Sequence, residues 1–111
     1  GIISYRYDYQ TLWDRICKNE LNSSVIPGLV ADWDNTARKG YNGQILTGVA
    51  PEIFSKYFQK LMEKCRDKDV RFAVINAWNE WAEGAYLEPD EKHGYAYLEQ
   101  LQNAMEEYNK D

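Results

Sequence analysis

The stretch that most narrows the possible folds is Phe72–Asp90, FAVINAWNEWAEGAYLEPD, where an unbroken apolar run passes straight into a loop crowded with carboxylates. Phe72, Ala73, Val74, Ile75, Ala77 and Trp78 show little of the polar alternation of a half-wet strand. The run from Arg71 to Trp78 therefore predicts a strand covered on both faces, as parallel α/β sheets require. Asn79, Glu80, Glu83, Glu88 and Asp90 follow at its carboxyl end. In α/β folds that end is where binding and catalytic groups collect.

The flanking segments fit the same architecture. PEIFSKYFQKLMEKC, from Pro51 to Cys65, opens with proline at a first helical position and Glu52 behind it. Ile53, Phe54, Tyr57, Phe58, Leu61, Met62 and Cys65 then form a wide stripe suited to covering a sheet. A second helix is expected from Tyr95 to Tyr108, with Tyr97, Leu98, Leu101, Ala104, Met105 and Tyr108 inward, and a third around TLWDRICKNEL, capped by Asp8 or Thr11. VIPGLVA supplies another strand, its ordered part running from Gly28 to Asp32 because Pro27 cannot donate to a central ladder. Gly1–Ser4 reads as the tail of a strand ahead of the alternating Tyr5, Tyr7 and Tyr9, and Asn22–Ser24 as a loop. DWDNTARKGYNGQILTG reads as one long loop.

Alternating strands and helices with right-handed crossovers define an α/β protein with parallel strands. The 111 residues suit one domain, but so few units leave naked sheet edges, so the chain is expected to be a portion of a larger protein. With 18 acidic against 13 basic residues and a net charge of −5, nucleic acid is excluded as a main partner. No apolar run reaches the roughly 18 residues of a transmembrane segment. Cys17 and Cys65 lie on apolar helix faces and read as free thiols.

Two constellations carry chemistry. Asp32, Asp34 and Asn35 sit at a strand's carboxyl end beside Trp33, with Thr36 and Arg38 just beyond. A carboxylate there can accept sugar hydroxyls while an indole covers the ring, although an Asx turn would use the same residues locally. Glu80 and Glu83 face one cleft if the chain coils as it leaves the strand, with Trp78 and Trp81 as walls. That pattern suits paired-carboxylate chemistry at a glycosidic bond, a hydrogen-bonded structural turn, or an all-carboxylate metal site drawing on Glu83, Glu88 and Asp90. Pro89 restricts Glu88 to extended backbone and can aim it at the cleft, while His93 reads as an exposed turn residue. Glycine-rich dinucleotide and phosphate loops and the G-x-S-x-G elbow are all absent, and no cofactor is called for.

NAWNEWAEGAYLEPD at 76–90, DWDNTAR at 32–38 and GYAYLEQL at 94–101 resemble the C-terminal part of the WbsX-type family of lipopolysaccharide and polysaccharide glycosyltransferases. That family is similar in turn to endo-α-mannosidase-like glycoside hydrolases. The resemblance implies a (β/α)8 TIM-type barrel, of which residues 1–111 supply the last two to three βα units. It also implies a catalytic pair, Glu80 acting on the sugar 2-hydroxyl and Glu83 as acid and base; on their own chemistry and placement, Trp33, Asp34, Asn35, Arg38, Trp78, Asn79, Trp81 and Glu88 are the candidates for binding substrate. Ala82 departs from the histidine that the hydrolases carry there. The expected function is a carbohydrate-active enzyme domain, hydrolase-like, with polysaccharide-biosynthesis glycosyltransferase and non-catalytic carbohydrate-binding fragment as alternatives. Its partners would be an oligosaccharide or polysaccharide, a nucleotide sugar if it transfers, and the rest of the barrel. Biosynthesis would put it in the cytoplasm, and hydrolysis in the periplasm or outside the cell. The isolated chain is expected to be inactive.

Overall fold

A computed structural model describes residues 5–21 and 24–109. The expected strand tail at Gly1–Ser4 and most of the Asn22–Ser24 loop lie outside these residues. The chain runs β1 (Tyr5–Asp8), α1 (Tyr9–Cys17), β2 (Gly28–Val30), α2 (Thr36–Lys39), a 3-10 turn (Gly40–Asn42), β3 (Gln44–Thr47), α3 (Pro51–Asp67), β4 (Val74–Asn76), β5 (Asn79–Glu80), a second 3-10 turn (Trp81–Glu83), β6 (Ala85–Tyr86) and α4 (Ala96–Asn109).

Each long helix starts for a local reason. Asp8 is extended and accepts hydrogen bonds from the Thr11 amide at 2.9 Å and the Thr11 hydroxyl at 2.7 Å, so of the two expected caps Asp8 is the one used. Pro51 opens α3 without a side-chain cap at Ala50, its missing N–H being one the first turn leaves unpaired anyway.

The core lies where these helices meet the strands. Tyr9 and Trp13 of α1, Leu29 of β2, Phe54, Tyr57, Phe58, Leu61 and Cys65 of α3, and Tyr97 and Ala104 of α4 are buried together. The rings meet tilted or edge-on, Tyr9 against Tyr57 at 5.9 Å and Phe54 against Tyr97 at 5.6 Å between centroids, as aromatic quadrupoles prefer. Two phenols also tie layers together: Tyr9 donates to the Val30 carbonyl at 2.7 Å and Tyr57 to Asp14 at 2.7 Å. Both cysteines are free.

Parallel strands alternating with helices are present, as expected. β2 pairs with β4, Gly28 opposite Val74, and β1 with β3, Tyr5 opposite Gln44, while β5 and β6 form a short antiparallel hairpin. Among the described residues these are three two-stranded sheets, and no barrel closes.

Three local expectations change. The doubly covered strand Arg71–Trp78 shrinks to Val74–Asn76, paired with β2 alone, and with Phe72 71% and Val74 57% exposed it is not covered on both faces. β2 likewise stops at Val30 rather than Asp32. The loop after Trp33 contains β3, a four-residue apolar strand between Gly43 and Gly48.

Candidate functional site

The candidate site is built where β2 and β4 end side by side. The Ala31 amide donates to the Asn76 carbonyl at 3.0 Å, extending the ladder by one residue before the two chains part. Residues 33–35 are then laced to β3: Leu46 donates to the Trp33 carbonyl at 2.9 Å, and Gln44 to the Asn35 side-chain oxygen at 2.7 Å. Asn35 is buried, and its carboxamide oxygen serves this lacing. Asp34 accepts from the Thr36 amide at 3.0 Å and hydroxyl at 2.6 Å through one oxygen, so the Asx turn forms.

On the other side, NEWAEGAY folds into the β5–β6 hairpin with the 3-10 turn at its tip. Gly84 closes it at φ +63°, a left-handed conformation that disfavours side chains. A Cβ there would also lie 3.0 Å from the Asp34 amide nitrogen and 3.1 Å from its carbonyl oxygen. This close approach lets the Asp34 amide donate to the Glu83 carbonyl at 2.8 Å. It also brings Arg38 within 3.5 Å of the Glu83 carboxylate. Three predicted site residues from two distant segments, Asp34, Arg38 and Glu83, thus converge.

The remaining predicted residues divide. Trp81 stacks on Tyr86 at 3.7 Å between centroids and donates through its indole nitrogen to Glu88 at 3.2 Å. Trp78 is exposed, and its carbonyl accepts from the Leu87 and Glu88 amides, both at 3.1 Å. Asn79 and Glu80 are exposed on β5. Trp33 borders an open apolar cavity of about 280 Å³ with Tyr7. Glu83, Glu88 and Asp90 go to separate partners, and among the described residues no three acidic, histidine or cysteine side chains are grouped to hold a metal ion.

A second polar cluster gathers around Asp90, which the sequence offered only as a metal ligand. Asp90 accepts from the Tyr86 hydroxyl at 2.8 Å and the His93 amide at 2.6 Å. Desolvation acts to raise Asp90, but the two hydrogen bonds outweigh it and hold the carboxyl low, while burial and the same bond push the Tyr86 phenol up to about 12. His93 sits edge-on to Tyr97 at 5.4 Å and is half-buried, where an exposed turn residue was expected. Asp32, the second residue beyond β2, is half-buried, and desolvation lifts its carboxyl against the opposing bond from the Trp33 amide at 2.7 Å. The available signal was position: Asp32 is the first polar residue after the apolar run Gly28–Ala31.

Comparison with known proteins agrees with these motifs. The family model described as Glycosyltransferase WbsX matches residues 2–101. The Uncharacterized protein WxcX of Xanthomonas campestris pv. campestris, in strains B100 and ATCC 33913, is 35% identical over 85 residues, which make up 74% of this chain and 12% of that protein. The chain therefore spans a small part of the length of these curated relatives. No solved structure matches. Among the described residues no helix is long and apolar enough to cross a membrane. The family description favours sugar transfer over the hydrolase-like expectation, and the chain belongs to the WbsX glycosyltransferase family.

Proposed function

We propose that this chain contributes part of a glycosyl-transfer site acting in polysaccharide synthesis, with Glu83 as its central carboxylate. The observation that carries the reading is the convergence of Glu83, Arg38 and Asp34 at the carboxyl ends of two parallel strands. Glu83 accepts the proton of an acceptor hydroxyl as that oxygen bonds to the anomeric carbon. The bond from that carbon to the leaving group breaks, and the leaving group departs with the electron pair. Arg38 orients Glu83 and faces the negative charge that a nucleoside diphosphate would carry away. Trp33 and Trp81 offer apolar faces to sugar rings, and Asn79, Trp78 and Glu88 line the approach.

In this reading residues 1–111 are the last βα units of a (β/α)8 barrel, and the open edge of β4 receives a further strand. Glu80 supports a second reading. It shares the hairpin with Glu83, and its side chain has no hydrogen bond or ion pair among the described residues, so it is available to act on a sugar 2-hydroxyl in a retaining hydrolase.

The test offers the full gene product nucleotide sugars with acceptors and, separately, α-linked oligosaccharides. Nucleotide-dependent chain growth that falls by about 100-fold or more in Glu83→Gln is expected, the usual scale of a lost general base. Oligosaccharide hydrolysis without nucleotide-dependent growth would replace transfer by the hydrolase reading.

A further inference from the structure

We infer that Tyr86 and Asp90 are positioning residues that hold the Trp81 indole as a one-sided platform for the C–H face of a neutral pyranose unit of the acceptor glycan, which rests on the reading of the Glu83 site as a sugar-transfer site. Trp81 opens the 3-10 turn that carries Glu83, and the Gly84 amide closes that turn on the Trp81 carbonyl at 3.1 Å. The indole stacks on the Tyr86 ring at 3.7 Å between centroids and 15° between planes. Rings this close overlap almost completely, whereas unconstrained aromatic pairs prefer offset or edge-on contacts at roughly 4.5–7 Å. Both rings are tethered at their polar ends: the indole nitrogen donates to Glu88 Oε1 at 3.2 Å, and the Tyr86 hydroxyl to Asp90 Oδ2 at 2.8 Å. Asp90 is itself fixed to the turn before α4, its Oδ1 accepting from the His93 amide at 2.6 Å and its carbonyl from the Gly94 amide at 2.9 Å.

The tethers leave one binding surface. Tyr86 covers one face of the indole and Glu88 takes its N–H, so the exposure of Trp81, 48%, falls on the opposite face and the rim. An indole face with no free donor takes the apolar C–H side of a sugar ring. The second Glu88 oxygen has no partner among the described residues, and it can accept from a hydroxyl at the rim of the same sugar. With Glu88 and Asp90 behind the rings, the local charge opposes a diphosphate and suits a neutral unit. Arg38 supplies the positive charge at Glu83, which assigns the donor's diphosphate to the Arg38 side and the acceptor to the platform. Fixing the indole in advance removes the ordering cost that each binding event would otherwise carry.

The full gene product, labelled with 5-fluorotryptophan, would be titrated by fluorine NMR with methyl α-glycosides of mannose, glucose and rhamnose, the Trp81 signal being the one missing from Trp81→Ala. Tyr86→Phe keeps the stack and removes its tether, and Asp90→Ala removes the anchor. Asp90→Asn can keep both links, its oxygen accepting from His93 and its amide group donating to the phenol oxygen. Binding is expected to shift the Trp81 signal in wild type, to weaken at least tenfold in Trp81→Ala and about fivefold in Tyr86→Phe and Asp90→Ala, and to stay within twofold in Asp90→Asn. In transfer assays the KM for the acceptor should rise in the same order, while kcat and the KM for the nucleotide sugar change less than twofold. Unchanged binding and acceptor KM in Tyr86→Phe and Asp90→Ala, with only a lower thermal midpoint, would make the tethers structural and overturn the inference. Glycoside binding that leaves the Trp81 signal unshifted would overturn it while sparing the carbohydrate reading. A wild type that neither binds the glycosides nor transfers sugar would overturn both.

Discussion

Arg38 and Glu83 meet at 3.5 Å although their loops leave different strands and 44 residues of chain separate them. The pair is lopsided in solvent, the guanidinium side chain 60% exposed and the carboxylate 21%. An ion pair with one arm so exposed contributes little to folding, about 0–1 kcal/mol. Arg38→Ala is therefore expected to leave the urea midpoint nearly unchanged while reducing sugar transfer by the full gene product. A loss of stability matching the loss of activity would make the contact structural.

Gly84 is the position on which that meeting depends. Any side chain there would strain a φ of +63° and press on the Asp34 backbone, whose amide is tied to the Glu83 carbonyl while its carboxylate holds Thr36. Gly84→Ala should destabilise the chain by about 2 kcal/mol. Amide exchange at Asp34 should speed up at the same time. An unchanged thermal midpoint would contradict this account of the turn.

Asp32 makes stability depend on pH in a defined direction. Its folded pKa is raised, so it adds nothing unfavourable below the unfolded value and opposes folding increasingly as pH rises through the folded one. Asp32→Asn, which keeps an oxygen for the Trp33 amide, should raise the thermal midpoint at pH 7 and lose that advantage near pH 3. An equal gain at both values would exclude desolvation as the cause.

The Tyr86–Asp90 bond acts in the alkaline range. Tyr86 is raised to about 12, by burial first and the Asp90 bond second, so its contribution is complete below its ordinary pKa and is lost as pH climbs toward about 12. Ultraviolet titration should find several tyrosines ionising late, Tyr9, Tyr57 and Tyr97 beside Tyr86, and one fewer of them in Tyr86→Phe. A wild-type curve with no difference from the variant would contradict the assignment.

How much of this was legible in the sequence follows from where each signal resides. α3 and α4 were readable because their stripes depend on local spacing, and Asp8 and Pro51 mark helix starts through their own chemistry. β3 was not, because four residues between glycines acquire their strand character from pairing with Tyr5–Asp8, some forty positions away, and from the lacing to residues 33–35. The extent of burial at Phe72 and Val74 was misjudged for a like reason, since it depends on what packs over each face of the strand, which no local pattern encodes. At the candidate site, residue types singled out Glu83, Arg38 and Asp34 as candidates, but the sequence could not separate Asp34, engaged in its own turn, from the half-buried Asp32. The partner of Trp81 was equally hidden: Tyr86 lies five positions on, and only the reversal at Gly84 stacks the two rings.

The most direct test is NMR product analysis of the full gene product given nucleotide sugars and acceptors, wild type against Glu83→Gln and Arg38→Ala. The account predicts nucleotide-dependent chain growth in wild type, abolished by Glu83→Gln and reduced by Arg38→Ala with the fold intact. Chain growth that persists undiminished in Glu83→Gln would contradict the central role given to that carboxylate.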